Sequence, residues 1–108
     1  MTVKTIDVDE LKSRLDNDSN LCLIDVREQD EWDEAHIPAA IHIPMDLLAT
    51  NIKKYVVDNK QPIYLHCHRG GRSSNAAQQL SDLGYQEVYS VVGGLKAWSE
   101  KNYPVVQR

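Results

Sequence analysis

Apolar residues along the chain fall into short segments of two kinds that alternate. In the first kind they recur every three or four positions, the spacing that lines one face of a helix. Val8, Leu11 and Leu15 make the first such stripe, led in by Asp7 with Glu10 three residues later, as in a capping box. Leu48, Ile52, Tyr55 and Val56 make a second within residues 46–58. Ala76, Ala77, Leu80 and Leu83 make a third within residues 73–83, with Gly84 placed as its stop. Leu95 and Trp98 face inward from a last helix over residues 95–101. Residues 28–35 are too few and too acidic for more than a small helix, with Trp32 as its packing residue.

Segments of the second kind read as strands. Residues 21–26 form a nearly continuous apolar run, as in a parallel strand buried on both faces. Residues 40–43 are closed by Pro44, residues 62–66 are led in by proline, and residues 87–92 are β-rich and alternating. About five strands alternating with about five helices predict an α/β layer architecture. No repeat, linker or low-complexity tract interrupts the pattern, so residues 1–108 read as one domain. In such sheets ligands bind beyond the carboxyl ends of the strands.

Composition narrows the function classes. A net charge of -4 does not advertise a nucleic-acid surface. No apolar run approaches the roughly 20 residues that span a membrane. The first residues carry Lys4, Asp7 and Asp9 and lack the basic region, apolar stretch and cleavage site of a secretory signal. A cytoplasmic, monomeric protein without nucleic-acid or membrane partners is expected.

Candidate chemistry lies at the cysteines. Cys22 sits in the apolar run Leu21-Cys22-Leu23-Ile24 and reads as a small buried hydrophobe. Cys67 stands where a strand gives way to a helix, in Tyr64-Leu65-His66-Cys67-His68-Arg69-Gly70-Gly71-Arg72-Ser73-Ser74. Gly70 and Gly71 permit backbone angles closed to other residues, so that successive N–H groups can turn inward as an anion nest. The following helix points its N-terminus at the same spot, with Ser73 suited to cap it. Arg69, Arg72 and His68 add positive charge. Each of these favours thiolate over thiol, and an ordinary cysteine pKa near 8.5 can fall by about one to several units in such surroundings. Metal binding by His66, Cys67 and His68 is disfavoured, since neighbours on a strand point to opposite faces. No metal and no cofactor are expected.

The chain resembles the rhodanese family. The likeness rests on Leu23-Ile24-Asp25-Val26-Arg27, then His36-Ile37-Pro38-Ala39-Ala40, then the loop from Cys67 to Ser73, then Gly93-Gly94 followed by Trp98. Ala35 and Ala39 depart from the family pattern, which often has glycine there. The resemblance implies a three-layer α/β/α rhodanese-like fold around a parallel sheet of about five strands. It also implies a thiosulfate sulfurtransferase-type reaction. Cys67 is the nucleophile and carries sulfur as a persulfide, taken from a small anionic donor such as thiosulfate. The sulfur passes to cyanide or to a thiol acceptor, either a small thiol or a thioredoxin-like protein. His68, Arg69, Gly70, Gly71, Arg72 and Ser73 are assigned to the substrate. Asp25, Arg27 and His36 are assigned to structural support, and Trp32 and Trp98 to the core. A sulfur-relay carrier is the near alternative. A phosphatase or arsenate reductase of the same fold is a further one. In the related phosphatases five residues separate Cys from Arg, whereas four separate Cys67 from Arg72.

Overall fold

The computed structural model describes residues 3–107. Among the described residues, seven strands and five helices follow in the order β1 (Lys4–Ile6), α1 (Val8–Asn17), β2 (Cys22–Asp25), α2 (Gln29–Glu34), β3 (Ala35–His36), β4 (Ile41–His42), α3 (Met45–Tyr55), β5 (Ile63–His66), α4 (Gly71–Asp82), β6 (Val88–Val91), α5 (Gly94–Glu100) and β7 (Val106–Gln107). Five strands pair in parallel in the order β1-β6-β5-β2-β4. β4 and β5 flank β2 on opposite sides, so the direction of the chain across the sheet reverses there. The crevice at such a reversal, beyond the strand carboxyl ends, is where open α/β sheets place ligands.

Alternation along the strands divides the core into two faces. Ile24, Ile63 and Leu65 pack with Leu48 and Ile52 of α3 and Ala76, Ala77 and Leu80 of α4. Leu23, Tyr64, Tyr89 and Val91 pack with Val8 and Leu11 of α1 and Leu95 and Trp98 of α5. The result is a three-layer α/β/α sandwich. The caps follow the local chemistry. Asp7 accepts from Glu10 N at 2.8 Å, and Gly84, with φ of +103°, ends α4.

The structure departs from the sequence pattern in several places. β1 has no counterpart in the apolar pattern, because Lys4 and Thr5 are exposed and only Ile6 is buried. The antiparallel pair β3–β7 joins segments only two residues long. Tyr55 and Leu83, placed by spacing on inner helix faces, are about half exposed because both lie at the last turn of their helices. α4 begins at Gly71 with Gly70 as its cap, so Ser73 lies inside the first turn and does not cap it. Trp32 is not a core residue. α2 buries nothing. The Trp32 ring instead stacks on His36 at 3.7 Å and on His42 at 4.9 Å. Trp98 is fully packed and donates through its indole N–H to Pro104 O at 2.8 Å.

Candidate active site

β5 delivers Cys67 to the carboxyl edge of the sheet, at the reversal point. Cys67 packs on the α3/α4 side with Leu65, while His66 turns to the opposite face beside Asp25. From Cys67 the chain must bend sharply into α4, and two contacts fix the bend. The carbonyl oxygens of Cys67 and His68 accept from Leu95 N at 2.9 Å and Lys96 N at 3.0 Å, the first free amides of α5. The loop carbonyls are thereby drawn outward. Its N–H groups turn the other way, toward the sulfur.

Gly70 N donates to Cys67 Sγ at 3.0 Å, and the backbone N–H groups of Arg69 and Ser73 also act on it. Gly70 has φ of +122°, a conformation that side-chain-bearing residues rarely adopt. Gly71 differs from the sequence expectation: it is an ordinary helical residue with open space where a β-carbon would stand. Gly70 O gathers three donors, Ser74 N at 3.1 Å, Ser73 Oγ at 3.1 Å and Ser74 Oγ at 2.9 Å, which lock the turn. The thiol lies 3.7 Å from Ser73 Oγ, which contacts Ser90 Oγ of β6 at 2.8 Å.

These contacts decide the ionisation of Cys67. Burial alone pushes its pKa up. The N–H groups of Ser73, Gly70 and Arg69 and the Ser73 hydroxyl outweigh that, and the pKa ends below its ordinary value. Cys22 has burial without the donors, and its pKa is pushed up to about 11. The two cysteines are thus shifted in opposite directions, Cys67 toward its thiolate and Cys22 away from it.

The side chains of the loop are spread around this cradle. His68 and Arg69 stand exposed on its shoulder. Arg72 is committed elsewhere: its guanidinium grips Glu31 of α2 in a bidentate pair at 2.6 and 2.9 Å. Glu31 is held down to about 2 by Arg72, and its Oε1 also accepts from Glu28 N at 3.0 Å. Beneath the rim, Asp25 and Arg27 form a buried pair, with Arg27 Nη2 on Asp25 Oδ2 at 2.9 Å and on Ala35 O at 2.6 Å. His66 Nε2 lies 3.5 Å from Asp25 Oδ2 without a hydrogen bond, and burial keeps its ring neutral by lowering its pKa. His36 sits farther out, donating from Nδ1 to Trp32 O at 2.9 Å.

Sequence reasoning did not single out Glu31 or Ser90 for the site, nor assign Gly94 a place in it. A β-carbon on Gly94 would stand 2.4 Å from Cys67 O and 2.7 Å from His68 O, so only glycine lets α5 approach. For Glu31 the one local signal is Glu28-x-x-Glu31, a capping box that also aims the carboxylate toward α4. Ser90 carries no sequence signal beyond being polar in an apolar strand.

A cleft of about 320 Å³ adjoins the loop, lined by Arg27, Glu31, Glu34, Ala35, His68 and Leu95. Another, of about 310 Å³, opens around Leu15, Ile37 and Trp98 and includes none of the loop residues. Among the described residues no three His, Cys, Asp or Glu side chains converge as a metal set, and no helix is long and apolar enough to cross a membrane.

Comparison with known proteins places this geometry. Residues 7–101 match the model of the Rhodanese-like domain. The chain is 37% identical over 79 residues to "Thiosulfate sulfurtransferase GlpE" of Coxiella burnetii, covering 73% of this chain and 72% of that protein. It is 33% identical over 100 residues to "Putative sulfur carrier protein YrkF" of Bacillus subtilis (strain 168), covering 93% of this chain. There it spans only about half, 53%, of the relative's length. Among solved structures, a rhodanese-related protein from Thermoplasma volcanium superposes with a TM-score of 0.81 at 30% identity, over 97% of this chain and 99% of that one. With the matched segment running from the cap of α1 to the end of α5, the chain belongs to the rhodanese-like domain family.

Proposed function

We propose that the chain acts as a single rhodanese-like domain that moves sulfane sulfur through a Cys67 persulfide. The observation that carries this reading is the Gly70 N–H donating to Cys67 Sγ at 3.0 Å, in a ring of backbone donors that favours the thiolate over the thiol. In the first half-reaction the Cys67 thiolate attacks the outer sulfur of a donor such as thiosulfate. The S–S bond of the donor breaks, sulfite leaves with the electron pair, and Cys67 becomes a persulfide anion. In the second, a thiolate or cyanide attacks the outer sulfur and the Cys67 thiolate is regenerated. No net oxidation or proton transfer is needed. This is covalent catalysis in two steps, with ping-pong kinetics.

The cradle serves both halves, because the same N–H groups that stabilise the thiolate stabilise the persulfide anion. Arg69 and His68, on the shoulder, meet the donor as it enters. Four residues between Cys67 and Arg72 make a tight cup, sized for one sulfur and not for a tetrahedral phosphate. The likeness to a sulfur carrier supports a second version of the same chemistry, in which the acceptor is a partner protein, such as a thioredoxin-like one.

The test is intact-mass analysis after incubation with thiosulfate. One sulfur, about 32 Da, is expected on Cys67 and is lost again on adding cyanide or a thiol. No adduct with thiosulfate or with any organic persulfide or thiosulfonate donor would sink the proposal.

A further inference from the structure

The loop sequence advertises two arginines for an anionic donor, yet the fold hands one of them to a carboxylate. We propose that Glu31 is a specificity-determining residue, which withdraws the charge of Arg72 from the mouth of the cup and biases the site toward sulfur donors of low negative charge. This rests on the sulfurtransferase reading and deepens it.

Four features carry the inference. The Glu31–Arg72 pair is bidentate, at 2.6 and 2.9 Å, so the guanidinium presents its fork to α2 and not to the cup. Glu31 is fixed independently of Arg72, since its carboxylate also accepts from Glu28 N and closes the capping box of α2. Arg72 is close enough to Cys67 and to Glu28 for both to act on its charge, so its pairing is felt at the sulfur. Finally, the cleft beside the loop sets Glu31 and Glu34 against His68 and an Arg27 already paired with Asp25, with Leu95 and Ala35 as its apolar surface. A dianion such as thiosulfate meets carboxylates there. A persulfide or thiosulfonate with one charge and an apolar body meets less repulsion and more contact.

The charge at the sulfur is read directly by alkylation, without any sulfur transfer. Iodoacetate and iodoacetamide differ by one negative charge, so the ratio of their rates at Cys67 reports the local potential. In Glu31→Gln, which keeps an oxygen for the Glu28 amide, that ratio is expected to rise on the order of fivefold for one freed charge in a half-exposed site. Arg72→Gln is expected to lower it, because Glu31 is then unpaired. The Glu31→Gln/Arg72→Gln double variant is expected to return near the wild-type ratio. In sulfur loading, Glu31→Gln is expected to raise kcat/KM for thiosulfate more than for the monoanion benzenethiosulfonate. A Glu31→Gln alkylation ratio within about 1.5-fold of wild type, or a double variant as high as Glu31→Gln, overturns the inference. If the ratios behave as stated but no donor loads Cys67, the sulfurtransferase reading fails while the charge relation stands.

Discussion

Gly94 and Cys67 are in contact through their backbones: the α-carbon of Gly94 faces the Cys67 carbonyl so closely that a β-carbon would stand 2.4 Å from the oxygen. Gly94 also has φ of +55°, in the left-handed region. The contact lets α5 draw the loop carbonyls outward, and the inward turn of the loop amides follows from it. Gly94→Ala is therefore expected to loosen the loop as well as the fold. Sulfur loading should fall at least about tenfold, the alkylation midpoint of Cys67 should shift upward, and stability should drop by roughly 2 kcal/mol. Gly71→Ala is the counterpart. With open space and ordinary helical backbone, it should change stability by less than about 0.5 kcal/mol. Urea titration with iodoacetamide rate profiles separates the two.

The cysteines should differ in the native protein by the sign of their shifts. Cys67 lies below its ordinary value, and Cys22 is pushed up to about 11. Alkylation at neutral pH should mark Cys67 alone, with a rate that rises with pH and reaches half-maximum below the pH at which an ordinary cysteine does. Cys67→Ser should abolish thiocyanate formation from thiosulfate and cyanide. Cys22→Ser should largely spare it. Equal loss in both would remove the distinction drawn from their surroundings.

The Asp25–Arg27 pair lies buried under the site. Both side chains are buried, and Arg27 ties the end of β2 to the start of β3 through Ala35 O. Removing one partner strands the other charge. Arg27→Ala is expected to lose about 3 to 5 kcal/mol of stability. Denaturant unfolding measures this, and a loss below about 1 kcal/mol would show that water reaches Asp25 and compensates it.

The Glu31–Arg72 pair should leave an acid signature. The folded pKa of Glu31 is depressed, to about 2 from an ordinary 4.5. Its stabilisation is therefore fully present above 4.5 and is lost as pH falls toward 2. Both partners are partly exposed, so solvent screening limits the contribution to about 1 kcal/mol or less. Glu31→Gln should melt slightly lower than wild type at pH 7, and the difference should vanish near pH 2.

Sequence periodicity carried the main parallel strands and four helices because their apolar residues are buried by the layers they predict. It could not carry β1, whose place at the sheet edge comes from pairing Lys4, Thr5 and Ile6 with Tyr89, Ser90 and Val91. Nor could it carry Trp32, since a large aromatic is equally at home in a core or between two histidine rings. Within the site, the Cys67 loop was legible because a strand end, glycines and a helix start are adjacent in the chain. Glu31, Ser90 and Gly94 meet that loop only through the fold, across 41 residues in the case of Glu31 and Arg72.

The cradle around Cys67 is built of peptide groups, and this makes it indifferent to vocabulary. Every residue except proline brings an N–H, so positions 68 and 69 can change their side chains while the donors stay in place. The chemistry and the choice of clientele are thereby uncoupled. A designer could rewrite the shoulder of the loop and still inherit the same cradle, whereas a proline at Gly70 or Ser73 would strip a donor from the sulfur without altering a single charge around it.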